Sequence, residues 1–506
     1  MLPQAENSWT LSEAAHLLNR AGFGGSPSEI SGFHALGREK AVDSLLNPTE
    51  AADAFPFPSW CTPENARADM EARAKERREF QKASRQLNPA KADMAKREMQ
   101  RAIRKEQQKR SLEAQDWWFR RMVKTQAPLR EKMTLFWHDH FASSVQKVKQ
   151  PVLMLVQNEL FRSHAFGSFR DLTQEVLMDP AMMLYLDTQS SKKGKPNENF
   201  AREVMELFTL GEGSYTEQDI REAARAFTGY QLNRSTGKVF HNKRQWDEGS
   251  KTVFGSTGTY DGKDVINLIF RKPETARFLS GKLWEFFVYE KPAPAALDAL
   301  AKVFQEADFK TGPLLRQIFL SKEFYSEKAI RTQIKSPVQY IAELLKQLEI
   351  DRPPGGFAIS AEQQLGQVLF LPPNVAGWDW GQAWINTNTL LTRYNLAGFL
   401  TKGAGQDEKV MASEKVRTPG MGPAQKRKGR TWEGPDYEKI APRPLRENPA
   451  DLVDSLIFRF FQGPLPEKAR SSFVEYAVSK KGAIFTNKET AELCHLMLST
   501  PYYQLY

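Results

Sequence analysis

The chain has 506 residues, 41% of them hydrophobic and 26% charged, an ordinary globular composition able to bury a large core in two to four folding units. Nowhere do about 18 apolar residues run together, which excludes a spanning helix. The formal charge is +10, and Cys61 and Cys494 are the only cysteines, too far apart in sequence for a disulfide framework or a Cys-based zinc site to be expected.

The opening Met1 to Asn7 lacks the basic and apolar regions of a secretion signal, so a cytoplasmic location is favoured over a periplasmic one. From about Thr10, Leu11, Ala14, Ala15, Leu17 and Leu18 have helical spacing up to the breaker Gly22-Phe23-Gly24-Gly25, and a second helix is expected from Pro27 to Leu36. Residues 63–87 and 90–122 are rich in Ala, Arg, Lys, Glu, Gln and Met, with Asn88-Pro89 between them to stop one helix and start the next. An antiparallel hairpin projecting from the body is expected there, either an arm for an anionic or protein partner or a solvated charged hairpin. Helical periodicity dominates residues 128–345, except that Val239–Phe254, near Gly255, Gly258 and Gly262, reads as a short hairpin or an irregular loop. Residues 402–449, dense in Gly, Pro, Lys and Arg, read as a linker, and 450–506 as a small C-terminal helical unit.

The expected fold class is therefore mainly α: a multi-helical globular core with a projecting helical hairpin and a small C-terminal helical unit. The expected divisions are 1–62, the N-terminal part of the core; 63–122, the hairpin; 123–400, the main core; 401–449, the linker; and 450–506. Residues 64–110 hold 15 Lys/Arg against 8 Asp/Glu, a net of +7, and residues 402–449 hold 11 against 7, a net of +4. The rest of the chain is then near −1, so the basic excess sits in the appendages, where weak contact with a polyanion is expected.

Three constellations carry candidate chemistry. In Phe136-Trp137-His138-Asp139-His140-Phe141, two of the chain's seven histidines lie two apart. On a regular helix such positions point about 200° apart, so His138 and His140 share a metal only where the helix ends. Asn199, Glu203 and Glu206, spaced i, i+4, i+7, place two carboxylates and an amide on one helix face. Arg225, on a following charged helix, is in position to pair with Glu203 or Glu206, giving either a buried ion-pair network or a catalytic site. Third, Asn374, Trp378, Trp380 and Trp384 form a rigid aromatic loop that either stacks on a sugar or base or plugs a gap between helices.

Five ordered motifs resemble a known family: Ala14 to Gly24, Glu131 to Phe141, Asn197 to Glu203, Ala224 to Gly229 and Pro372 to Trp378 follow the order seen in the domain of unknown function 1800, a group of uncharacterised bacterial proteins. The resemblance covers roughly 8–400 and 450–506. It implies homology without an activity, and a partner of sulfatase- or phosphatase-like type, whose genes often lie beside those of the family. Many relatives carry His where this chain has Phe208, and His-Asp where it has Trp246-Asp247. The resulting expectation is an enzyme with a catalytic set of His138, His140, Asn199, Glu203, Glu206 and Arg225. His138, His140, Glu203 and Glu206 are the candidate ligands of a divalent transition metal, since carboxylates with one or two His suit Mn, Fe or Zn better than Ca or Mg. The opposing expectation is a non-catalytic scaffold or binding protein.

Overall fold

A computed structural model of the chain describes residues 2–6, 8–49, 55–61, 63–86, 88–233, 236–403, 432–480 and 485–506, so most of the basic linker lies outside the described residues. The fold is mainly α. The sequence's stop and start signals act where they stand. Thr10 and Glu13 form a reciprocal capping box at the head of helix Leu11–Ala21, and Ser26 and Glu29 form another at Pro27–Leu36. The stretch 239–254 contributes to two separate antiparallel pairs, Tyr230–Asn233 with Lys238–His241 and Lys251–Val253 with Ser256–Gly258. No helix among the described residues is long and apolar enough to cross a membrane.

The charged hairpin is built from helices Pro63–Ser84 and Pro89–Lys124, with the Asn88 side chain accepting from the Lys91 N–H and Pro89 in the first turn. Its second helix, 36 residues or about 54 Å long, is arm and core at once. From Ala114 onward it buries Trp117, Trp118, Phe119 and Met122 in the body.

Helix Pro128–His140 runs through the middle of the molecule, with every residue from Glu131 to His140 buried. A helix covered on all sides loses free energy at each polar side chain left without a partner, and most of those here have one. Glu131 takes Arg121 and Arg162 at 2.6 Å each and the Trp118 indole N–H at 3.1 Å. Burial alone would raise its carboxyl, but Arg162 and Arg121 hold it below its ordinary value. Lys132 donates to Gln339 at 2.6 Å, and burial pushes its ammonium down to about 7 against the pull of Glu343. Glu343 is itself 2.5 Å from Lys335.

The last residues close this centre. Tyr503 donates to Gln347 at 2.8 Å, Gln504 accepts from Arg393 at 3.1 Å, and the Tyr506 and Lys335 amides donate to Gln333 and Gln504 carbonyls. The Arg20 guanidinium lies 4.7 Å from the Tyr506 ring and donates to the Ala329 carbonyl. Residues at opposite ends of the chain thus share one polar centre.

Candidate functional site

The segment Asn199–Thr209 starts as an α-helix and changes at Val204 to a π-helix, closed by Leu210 N–H donating five residues back to Met205 at 2.9 Å. Such turns are rare and recur at functional sites. The end of any helix leaves carbonyls without intrahelical donors, and here two are taken by side chains from elsewhere. The Phe208 carbonyl lies 2.9 Å from His140 Nε2, which carries the proton if it donates there. The Leu207 carbonyl accepts from Lys282 Nζ at 3.3 Å, brought in by helix Pro273–Phe287.

The Trp loop reaches the same place from the other side. Asp139 Oδ1 accepts from the Trp378 backbone N–H at 2.7 Å, and the Trp380 side chain also favours the charged form of this carboxyl. Gly377 adopts φ +89°, and a Cβ there would lie 2.3 Å from Asp139 Oδ1, so only glycine lets the loop approach this closely. Trp378 and Trp384 are buried, filling the gap between helices, while Trp380 is 48% exposed with its ring edge-on to Phe286 at 5.0 Å. The loop is thus part plug and part open aromatic face. Asn374 is exposed and accepts from the Ala376 N–H, bracing the turn.

Burial pushes the Asp139 carboxyl up to about 7, against the Trp378 N–H, Lys282 and Trp380. Burial likewise pushes the Lys282 ammonium down from its ordinary value, opposed by Asp139 and Glu285. One group near neutrality beside another with a weakened hold on its proton is the arrangement that general acid–base chemistry uses.

The two histidines point to opposite sides of the helix, as their spacing requires. His138 is enclosed by Trp118, Phe370 and Trp378 with ring centroids 5.3–5.6 Å away, its Nε2 has no hydrogen-bond partner among the described residues, and burial depresses it to about 3, so it is neutral. Burial and then Lys282 hold His140 well below its ordinary value.

Glu203 and Glu206 are half-buried. Glu206 accepts from the Tyr215 hydroxyl at 2.9 Å, and Glu203 is raised by burial and by Glu206. Among the described residues no hydrogen bond or ion pair joins either carboxylate to His138 or His140, and no group of three or more His, Cys, Asp or Glu is arranged to hold a metal ion. The expected four-residue ligand set does not fit a metal here, because one imidazole is walled in by aromatic rings and the other is committed to a carbonyl. Arg225 does not meet the glutamates: it pairs with Asp247 and Glu222, each at 2.9 Å. Arg202, next to Glu203, turns instead to Glu217 at 2.8 Å. Asn199 is exposed, its amide 3.4 Å from the Leu186 carbonyl.

Asp139 and Lys282 are the residues that sequence reasoning passed over. Asp139 stands between the two histidines that drew attention, and its position beside the Trp-rich motif could have been weighed. Lys282 lies on an amphipathic helix with nothing to set it apart.

The site defines a class of mainly α-helical protein in which a His-Asp-His helix end, a π-helical turn and a Trp-rich loop meet around a buried carboxyl and an ammonium. The chain belongs to the family described as Protein of unknown function (DUF1800), whose model matches residues 16–505, nearly the whole chain. No curated protein and no solved structure matches it.

Proposed function

We propose that the protein is an enzyme that moves a proton on a neutral substrate with a flat apolar face, such as a sugar ring, stacked against Trp380. Asp139 is the acid–base group in this reading, and Lys282 sets its charge. One observation supports it above the others: the buried Asp139 carboxyl, raised to about 7, is bonded to the Trp378 amide of the same loop that leaves the Trp380 indole exposed. Glu203 and Glu206, on the turn whose Leu207 carbonyl holds Lys282, are the next polar contacts such a ligand would meet. No metal enters this reading.

The test is a panel of neutral sugars in heavy water, proton exchange at carbon being followed by NMR as turnover, with the wild type, Asp139→Asn and Trp380→Ala. Turnover with an inflection near pH 7, abolished by the first variant and shifted to higher KM by the second, is the expected result. No turnover across the panel, together with an Asp139 that titrates near 4 by carboxyl NMR, would sink the reading.

A further inference from the structure

A groove of about 870 Å³ lies between the charged hairpin and the body, far larger than a packing defect and within the size range of small-ligand sites. Its hairpin side presents Arg73, Arg77, Arg78 and Arg104, its body side presents Lys149, and among the described residues its lining contains no carboxylate. Arg73 is neutralised by Asp69 at 2.8 Å. Among the described residues, no hydrogen bond or ion pair engages the side chains of Arg77, Arg78, Arg104 or Lys149.

Several other hairpin cations are neutralised within the hairpin, while Lys82, Arg85, Lys91, Lys96, Arg101 and Lys105 stand in solvent. Arg97 pairs with Asp93, Arg110 with Asp69 and Glu106, and Arg120 with Asp116, all within 2.9 Å. Arg77, Arg78, Arg104 and Lys149 line one concavity between the two helices and the body, and four like charges there repel one another unless an anion enters. Guanidinium forks from both hairpin helices suit phosphate oxygens better than a single carboxylate. Ile103, Val148 and Leu184 supply an apolar wall, and Gln107 ties the hairpin to the body by donating to the Lys149 carbonyl.

We infer that this groove binds a small organic di- or triphosphate, its phosphates on Arg77, Arg78, Arg104 and Lys149 and its organic part on the Ile103, Val148 and Leu184 wall. The site is separate from Asp139 and does not depend on the acid–base reading. It narrows the broad polyanion expectation to a ligand of one pocket's size.

Calorimetry with ADP and with sodium tripolyphosphate tests it, on the full chain and on the Arg77→Gln/Arg104→Gln double variant. The wild type should bind both, ADP more tightly because it also uses the apolar wall. The double variant should lose at least about tenfold in affinity for each, since each arginine gives up a hydrogen bond to a charged group. Because neither arginine is paired, the unliganded melting temperature should not fall. Lys149→Gln repeats the test from the body side if the double variant folds poorly. The proposal is overturned if neither probe binds, if the affinities survive the substitutions, or if a single-stranded decanucleotide binds more tightly than ADP, which would mark an extended nucleic-acid surface instead.

Discussion

Asp139 accepts the backbone N–H of Trp378 at 2.7 Å, and through that bond a helix end inside the core holds a surface loop 239 residues further along the chain. A buried carboxyl is costly unless it is hydrogen-bonded or protonated, and this one is bonded by the loop and stands near neutrality. The loop's position and the carboxyl's proton affinity are therefore set together.

Gly377→Ala tests that link. The new Cβ meets Asp139 Oδ1 at 2.3 Å in a left-handed backbone, so the variant should lose about 2 kcal/mol or more by chemical denaturation. Gly366→Ala is the control, since its φ of +91° is similar but nothing lies within 4 Å of an added Cβ. Equal losses in the two variants would show that the loop is not tightly seated on the carboxyl.

Asp139→Asn should reveal a pH-dependent term. The folded carboxyl titrates at about 7 against an ordinary value of 3.8, so the folded state binds the proton more tightly than the unfolded one. Below about pH 4 both states are protonated and the term vanishes. Between about 4 and 7 it increasingly destabilises the wild type, reaching on the order of 4 kcal/mol above pH 7. The melting temperature of the variant relative to wild type should therefore rise from pH 5 to pH 8. A flat difference would mean an ordinary carboxylate.

Glu131→Gln strands the guanidinium of Arg162, whose Nε and Nη2 rest on the carboxylate at 2.6 and 3.0 Å. Breaking one side of a buried pair costs about 3–5 kcal/mol, and the denaturation midpoint should fall accordingly. A loss below about 1 kcal/mol would show that Glu159 and Asn158, which also contact Arg162, carry the charge alone.

Glu203→Gln should behave in the opposite way. Its carboxyl is half-buried, raised by burial and then by Glu206, and Arg225 is engaged with Asp247 instead. The change should keep stability at pH 7 within about 0.5 kcal/mol, checked by thermal melting. A large loss, relieved by also replacing Arg225, would contradict the observed pairing.

Much of the scaffold could be read in advance because its signals are local. Thr10 with Glu13, Ser26 with Glu29 and Asn88 with Pro89 each start a helix through contacts within three residues. The i, i+2 spacing of His138 and His140 also told that they face apart. Partner choice was not legible, since Arg225 finds Asp247 only because the chain folds back after the strand Lys238–His241. Nor was the α-to-π change at Val204, which no residue type marks and which decides which carbonyls are open to Lys282 and His140. The Trp-rich loop was recognised, but that only Trp380 among its three indoles stays open depends on where Asp139 pins the backbone.

The polar centre joining Arg20, Lys132 and Glu343 to Tyr503, Gln504 and Tyr506 also sets an order of events during synthesis. Helix Leu11–Ala21 leaves the ribosome well before Ala329 and Glu343, and the Tyr506 ring that covers Arg20 arrives last of all, just after the segment Pro501–Gln504. At about 5–20 residues per second, that interval is roughly half a minute to a minute and a half. Throughout it the nascent chain holds arginine and lysine side chains that have no finished interior to enter. The body therefore cannot lock until residues 501–506 have been made, and that segment acts as the bolt.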